Sequence, residues 1–144
     1  MWVIPGERMK AGREHRLPLS NTALAILRTR QKSDDKSVFV FPGGKRGKPI
    51  SNMAILQTLR RMGRDDLMVH GFRSTFRDWA EERTAFSGTL AEAALAHVVG
   101  DKVEAAYRRG DLFEKRRKLM DAWAQYCNAP MTGVKIVPIW RRAR

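Results

Sequence analysis

The spacing of apolar residues separates a short strand region at the start of the chain from a longer helical region. An apolar run at residues 2–4 and the segment His15-Arg16-Leu17-Pro18-Leu19 flank a stretch rich in glycine and charged residues. This pattern predicts a small β-hairpin with Lys10 beside its turn. Ser20 is a suitable N-cap for a helix that continues to about Arg30, with its apolar side chains on one face.

The middle of the chain alternates between apolar segments and polar connections. Residues 38–41 are predicted to form a short buried strand, and residues 42–49 a flexible basic loop. Ser51 is expected to cap a helix whose apolar residues lie between positions 53 and 62. His70 opens the next predicted helix.

Three capping boxes follow, each with a short polar acceptor and a glutamate three residues later. They are Thr89 with Glu92, Asp101 with Glu104, and Asp111 with Glu114. They predict three successive helices, of which the middle one is very short. In the last helix the apolar residues lie opposite the basic run 115–118. The aromatic residues that we assign to the core are Phe76, Trp79 and Trp123.

These elements together predict an α+β fold that is predominantly α-helical, with a small β-hairpin or sheet on the N-terminal side. A length of 144 residues suits a single domain. We place this domain at residues 1–128 and a C-terminal tail at residues 129–144. Within the tail, residues 134–139 are typical of an isolated strand, and a lone strand needs a partner edge.

The net charge indicates a polyanionic partner. Lysine and arginine total 28 against 15 aspartate and glutamate residues, which leaves a charge of +13. Nucleic acid is the simplest partner for such a chain, although an anionic membrane surface would also attract it. No apolar run approaches the roughly 18 residues of a spanning helix, and the start is unlike a signal peptide, so we expect a cytoplasmic protein. The acidic pairs Asp34-Asp35 and Asp65-Asp66 lack the spacing of metal ligands, which argues against a two-metal nuclease.

Several side chains have the chemistry needed to handle a phosphate. His70 and Arg73 are three residues apart, so the first turn of a helix projects both toward one face, where free N–H groups also favour an anion. His97 and Tyr107 belong to different predicted helices and converge only through tertiary packing. A phenol is more acidic than an alcohol, so Tyr107 could attack phosphorus while the hairpin residue Lys10 protonates the leaving alkoxide.

Each of these residues also has an ordinary structural interpretation. By itself, the spacing around Tyr107 is typical of a core aromatic residue. His97 and His70 could be structural histidines with satisfied hydrogen bonds. Lys10 could be a solvated hairpin lysine. The basic cluster within residues 45–48 either contacts a DNA backbone or is a solvated loop.

Three motifs in this order resemble the catalytic domain of the tyrosine recombinases, the phage integrase family. They are His70-Gly71-Phe72-Arg73, Leu95-Ala96-His97-Val98-Val99-Gly100, and Tyr107 within residues 105–109. The hairpin, residues 9–20, is also similar to the lysine hairpin of that family. The resemblance implies the following roles: a general acid at Lys10, a phosphate clamp at Arg73, a nucleophile at Tyr107, a base and phosphate ligand at His70, and a hydrogen bond to the scissile phosphate from His97.

The resemblance also implies the reaction and its partners. The reaction is site-specific recombination or integration of DNA, in which the nucleophile forms a 3′-phosphotyrosine; it needs no metal, ATP or other cofactor. The implied partners are double-stranded DNA attachment sites and other integrase subunits on the DNA, the latter contacted through the C-terminal tail. No membrane partner is implied.

One element of the family pattern is missing from these 144 residues. The family has a further arginine upstream of the lysine hairpin, in a Gly-x-Arg-x-Gly-Glu-like segment, and no such segment precedes Trp2. Arg8 and Arg13 lie in the hairpin itself, so neither is a substitute. We therefore expect a catalytic domain truncated at its N-terminus, with weak or no recombinase activity. The alternative is a non-catalytic DNA-binding or interaction remnant of an integrase.

Overall fold

Helices make up most of the structure, and the two strands lie at its N-terminal side. A computed structural model of the chain describes residues 1–33, 37–97 and 110–130. In this part of the chain the elements are β1 (Trp2–Ile4), β2 (His15–Leu17), α1 (Asn21–Ser33), α2 (Ala54–Arg61), α3 (Gly71–Arg83), α4 (Gly88–Ala94) and α5 (Phe113–Asn128). The expected α+β, mainly helical architecture is confirmed at this level.

The predicted hairpin is present. β1 and β2 are antiparallel, with Trp2 opposite Leu17 and Ile4 opposite His15. The connection begins with a 3-10 turn at Gly6–Arg8. A Cβ at Gly6 would lie 2.7 Å from a carbonyl oxygen across the loop, so this close approach requires glycine. Lys10 lies in this connection, as the pattern predicted, and its side chain is exposed.

The core lies where α3, α4 and α5 meet. Its buried residues are Phe76, Trp79, Ala80, Leu90, Ala91, Ala94 and Leu119. Trp123 of α5 packs against this group, with its ring centroid 5.4 Å from that of Phe76 and 5.0 Å from that of Trp79. The assignment of these three aromatic residues to the core is confirmed. Their packing holds the start of α3 near the end of α4.

The first helix follows the local signal closely. The hydroxyl of Ser20 accepts a hydrogen bond from the backbone N–H of Ala23 at 3.3 Å, so Ser20 caps α1 as predicted. The helix continues to Ser33, slightly beyond the expected end at about Arg30. The side chain of Asn128, at the end of α5, donates to Thr22 at 3.3 Å and so joins the two helices.

The strand predicted at residues 38–41 is wrong. These residues form bends, and Val38 is 87% exposed. The hydroxyl of Ser37 accepts from Phe39 N at 3.1 Å and donates to Phe39 O at 3.0 Å. These local bonds occupy the N–H and C=O of Phe39, which a strand would use in a sheet. The basic loop that follows is closed by backbone bonds, with Gly43 N donating to Lys48 O at 2.8 Å.

Two predicted caps are displaced. α2 begins at Ala54, and Ser51 contributes its main-chain oxygen, which accepts from Ala54 N at 3.0 Å, rather than its hydroxyl. α4 is capped by Ser87, whose hydroxyl accepts from Leu90 N at 3.3 Å, and not by Thr89. Several residues able to cap lie close together in both segments, so the sequence alone does not decide between them.

The third box is only partly formed. Asp111 does accept a hydrogen bond from Phe113 N at 3.1 Å, but the residue before α5 is Leu112, whose φ is 53°. Glu114 pairs with Arg117 at 3.2 Å instead of turning back to the helix start. The box formed by Asp101 and Glu104 lies outside the described residues, and so do the predicted strand at 134–139 and most of the tail.

No helix in residues 1–33, 37–97 and 110–130 is both long enough and apolar enough to cross a membrane.

Candidate functional site

The start of α3 presents His70 and Arg73 on the surface. His70 is the residue before the helix, with φ of −66° and ψ of −29°, and its carbonyl accepts from Arg73 N at 3.1 Å. Both side chains are exposed. They are one helical turn apart, as their spacing predicted. The side chain of His70 makes no hydrogen bond to another described residue.

Arg73 and His97 are in direct contact. One terminal nitrogen of the guanidinium, Nη2, donates to Leu95 O at 2.8 Å and lies 2.7 Å from Nε2 of His97. The chain makes this possible at Ala96, whose φ of 55° turns the backbone sharply after α4. The turn points both the Leu95 carbonyl and the His97 ring toward α3.

Glu92 holds the other nitrogen of the His97 ring, Nδ1. Nδ1 of His97 hydrogen-bonds Oε2 of Glu92, while Oε1 of the same carboxylate accepts from Nε of Arg77 at 2.6 Å. Arg77 also lies 3.5 Å from Glu81, one turn along α3. The bonds from Arg77 and then His97 lower the pKa of Glu92 below its usual range. Glu92 is therefore a carboxylate at neutral pH.

These contacts assign the proton on the His97 ring. An arginine has only donors, so Nε2 must be the acceptor in its bond with Arg73. In the neutral ring the hydrogen then resides on Nδ1, where Glu92 accepts it. His97 thus carries an Nδ1–H and directs the lone pair of Nε2 toward the arginine.

The sequence pattern does not identify Glu92 or Arg77 as site residues. It assigns Glu92 to a capping box and gives Arg77 no role. The two residues are fifteen positions apart and on different helices, so no spacing rule links them. The available signal was a carboxylate five residues before His97, within the helix that leads to it.

The remaining predicted site residues are less closely connected. Lys10 is exposed in the hairpin connection, and no hydrogen bond joins it to Arg73 or His97. Tyr107 lies outside the described residues. Of the five predicted residues, the structure therefore brings Arg73 and His97 together and places His70 one turn from Arg73.

His15 lies between the hairpin and the end of α4. Its half-buried side chain lies near the backbone of Ala94, immediately before the carbonyl that receives Arg73. Burial, and then the positive charge of Arg116, lower the pKa of His15, so the ring is neutral at physiological pH. A neutral ring in this position serves packing between the hairpin and the end of α4.

A second arginine cluster joins the hairpin to α5. Arg116 is only 2% exposed, although the sequence pattern placed it on the solvent-facing basic side of the last helix; that prediction is wrong. Its Nε donates to Asp111 O and its Nη1 to Arg16 O, both at 2.7 Å. Its Nη2 lies 3.2 Å from the Asp111 carboxylate, which Arg16 also contacts at 2.6 Å. We call these three residues the Arg116 cluster.

Metal binding has no obvious place among the described residues. Within residues 1–33, 37–97 and 110–130, no three His, Cys, Asp or Glu side chains converge as ligands of a metal ion would.

Comparison with known proteins places the chain among the integrases. It is 38% identical to the prophage integrase IntA of Escherichia coli (strain K12) over 92% of its length, and 34% identical to the prophage integrase IntZ of the same strain over 91%. It is also 33% identical to the integrase of Enterobacteria phage P4 over 88% of its length. The chain belongs to the phage and prophage integrase family.

This integrase sequence spans about a third of the length of the curated relatives it matches, covering 32% of IntA and 33% of IntZ. No family model matches the chain. No solved structure matches it either.

Proposed function

We propose that this integrase chain carries the strand-cleaving part of a tyrosine recombinase, which acts in site-specific recombination of DNA. The observation that carries the proposal is the contact between Arg73 and His97, 2.7 Å apart although they are 24 residues apart in sequence. The order of the sequence motifs supports it, as does the resemblance to integrases over about nine tenths of the chain. We extend the proposal to the fold, which would be that of the tyrosine recombinase catalytic domain.

Arg73 is the proposed clamp for the scissile phosphate. Only its Nη2 bonds to described residues, so Nε and Nη1 keep donors for an anion. A guanidinium matches phosphate oxygens in geometry and charge. The carbonyl of Leu95 and the ring of His97 fix its position before DNA binds, which lowers the reorganisation needed in the transition state.

The other roles follow from the resemblance and the chemistry of each group. The hydroxyl oxygen of Tyr107 attacks phosphorus and its proton passes to His70 as the base. The bond from phosphorus to the 5′ oxygen breaks, and Lys10 donates a proton to that oxygen. The DNA keeps its phosphodiester energy in a 3′-phosphotyrosine, so neither metal nor ATP is required. When the His97 ring is protonated, its Nε2–H donates to a phosphate oxygen.

The proposed partners are attachment sites in double-stranded DNA and other integrase subunits bound to them. The charge of +13 suits the DNA backbone. The tail, residues 129–144, would contact the neighbouring subunit. The bacterial cytoplasm, where such DNA is found, is the proposed location.

These 144 residues on their own should cleave slowly. They contain no match to the Gly-x-Arg-x-Gly-Glu segment that supplies the family's first arginine. Removing one preorganised electrostatic donor from an active site costs about 100- to 1,000-fold in rate. A slow reaction is still measurable if its product accumulates.

The experiment therefore uses nicked duplexes in which cleavage cannot reverse. A library of randomised duplexes carries a nick shortly downstream of each cleavage position, so the released 5′-hydroxyl fragment diffuses away. Protein–DNA adducts that resist detergent are recovered and sequenced. We expect adducts enriched in one sequence, and none with Tyr107→Phe. Adducts that survive this substitution would contradict the proposed nucleophile. Steeply salt-dependent binding with no adduct would support the non-catalytic alternative.

A further inference from the structure

A chain of hydrogen bonds runs across the surface where α3 and α4 meet. It passes from Arg77 through Glu92 and His97 to Arg73. Among Arg77, Glu92 and His97, Glu92 has the least exposed side chain: it is 25% exposed, against 49% for Arg77 and 44% for His97. His97 lies beyond the end of α4, after the turn at Ala96. Its backbone N–H donates to Glu92 O at 3.0 Å, which fixes the main chain but not the rotation of the ring. Its orientation depends on its side-chain bonds.

We propose that Glu92 is a positioning residue: it holds the hydrogen of the neutral His97 ring on Nδ1, so that Nε2 faces Arg73. The part of this inference that concerns DNA rests on the function proposed above. There, Nε2 is the atom that meets the scissile phosphate.

The contact with Arg73 does not hold the ring without Glu92. A neutral imidazole in water favours the hydrogen on Nε2. In that form an N–H would face the guanidinium, which offers only donors, and the ring would turn away. A carboxylate at Nδ1 removes this alternative because it accepts a hydrogen bond there and cannot donate one.

Arg77 in turn fixes the carboxylate. Its bond to Oε1 leaves Oε2 for the histidine, so the two oxygens of Glu92 have separate partners. Glu81 lies beside Arg77 and gives the guanidinium a second acidic neighbour. The carboxylate is thus oriented from α3 while its own backbone belongs to α4.

The same arrangement serves the ring in both of its charge states. When the ring is neutral, Nδ1–H donates to Glu92 and Nε2 accepts from Arg73. When the ring is protonated, Nδ1–H remains on Glu92 and Nε2–H donates to an oxygen of the phosphate. Glu92 therefore keeps one defined atom of His97 directed at the site throughout the proposed reaction.

The test reads the position of the proton directly. The 144-residue protein is labelled with 15N-histidine and studied by long-range 1H–15N correlation at a pH where its three histidines are neutral. His97→Gln identifies the His97 signals by their loss. The two ring nitrogens have well separated shifts, and the shifts show which one carries the hydrogen.

We expect Nδ1–H for His97 in the wild type and in Glu92→Gln, whose amide oxygen still accepts a hydrogen bond. We expect a shift toward Nε2–H in Glu92→Leu, which has no acceptor. Glu81→Leu is the matched control, because Glu81 contacts Arg77 but not His97, and it should leave the tautomer unchanged. Nε2–H in the wild type would overturn the inference without any variant. So would Nδ1–H retained in a folded Glu92→Leu.

Adduct formation gives a second readout. Glu92→Leu should lower the rate about 100-fold, the size expected when one aligned donor is lost, whereas Glu92→Gln should restore most of it. DNA affinity should be unchanged in both. A wild type with the Nδ1–H tautomer but no adduct would remove the proposed function and leave the positioning role of Glu92 intact. Equal rates in all three proteins would contradict its catalytic consequence.

Discussion

The integrase chain contains two clusters in which arginines and a carboxylate join elements distant in sequence, and the two clusters differ in their surroundings. In the Arg116 cluster, Arg16 and Arg116 both contact Asp111. In the second, which we call the Arg73 cluster, Arg77 contacts Glu92, and Glu92 is linked to Arg73 through His97. Arg116 is 2% exposed, and its three nitrogens all have acceptors. Arg73 is exposed, and only Nη2 bonds to described residues. A buried guanidinium whose three nitrogens all have acceptors holds elements together, whereas an exposed one with spare donors is suited to a ligand.

The energetics of the two clusters differ accordingly. Exposed ion pairs contribute about 0–1 kcal/mol to stability, because water screens the charges and two long side chains must be ordered. Removing one partner of a buried pair costs about 3–5 kcal/mol, because polar groups are left without partners. The Arg116 cluster should therefore support the fold, and the Arg73 contact should matter for binding and catalysis.

The largest effect should follow Arg116→Ala. The carbonyls of Arg16 and Asp111 would lose their donor, so we expect the free energy of unfolding in urea to fall by about 3 kcal/mol. Arg117→Ala is the matched control, since this neighbour is 53% exposed and should cost below about 1 kcal/mol. Equal losses for the two variants would erase the distinction between the clusters.

Arg73→Ala should reduce activity far more than stability. We expect the rate of adduct formation to fall about 100- to 1,000-fold while the unfolding free energy changes by less than about 1 kcal/mol. Arg83→Ala, at the exposed end of the same helix, should leave both quantities unchanged. A large loss of stability in Arg73→Ala would show that Arg73 supports the fold.

Acid should weaken both clusters through their carboxylates. Burial opposes the charge of Asp111, but hydrogen bonds from Arg16 and from Phe113 N outweigh it, and its pKa is lowered; that of Glu92 is also lowered. A carboxyl group with a lowered folded-state pKa contributes stability above its ordinary value near 4 and loses it as the pH falls further.

The unfolding free energy should therefore decline from about pH 5 to pH 3, by less than the loss in Arg116→Ala. Asp111→Asn should lower stability at pH 7 and reduce this decline. Urea unfolding followed by circular dichroism across this range measures both. A decline of full size in Asp111→Asn would show that its carboxylate is not responsible.

The smallest effect concerns the basic loop. Lys45, Arg46 and Lys48 are exposed on a segment closed by backbone bonds. If they contact DNA, replacing all three by alanine should reduce the slope of log affinity against log salt by about 1–3, since each phosphate contact contributes about 0.9. Lys115→Ala is the control, since Lys115 is an exposed lysine of α5. An unchanged slope would leave the solvated-loop interpretation in place.

Local signals predicted much of the fold. The hairpin, the Ser20 cap and the start of α3 after His70 follow from residues close in sequence. The strand predicted at 38–41 is wrong because the Ser37 hydroxyl bonds both backbone groups of Phe39. The predicted solvent exposure of Arg116 is wrong because its side chain bonds the carbonyl of Arg16, far back in the chain, and Asp111.

In the candidate site, too, the sequence predicted what depends on local spacing and not what depends on tertiary contacts. The pairing of His70 with Arg73 is a helix spacing, and the sequence contains it directly. The need for His97 to meet that helix followed from the motifs, but the Leu95 carbonyl and Glu92 that make the contact did not. They depend on the turn at Ala96 and on how α4 packs against α3.

Replacing a charged oxygen of the scissile phosphate tests most directly whether Arg73 binds that phosphate while Arg116 supports the fold. A methylphosphonate at that position has one negative charge fewer, so it no longer needs an arginine to neutralise it. We predict that Arg73→Ala, slow on normal DNA, forms adduct on the methylphosphonate at a rate close to that of the wild type, whereas Arg116→Ala is not rescued. Arg73→Ala equally impaired on both substrates would show that the exposed cluster does not bind the scissile phosphate.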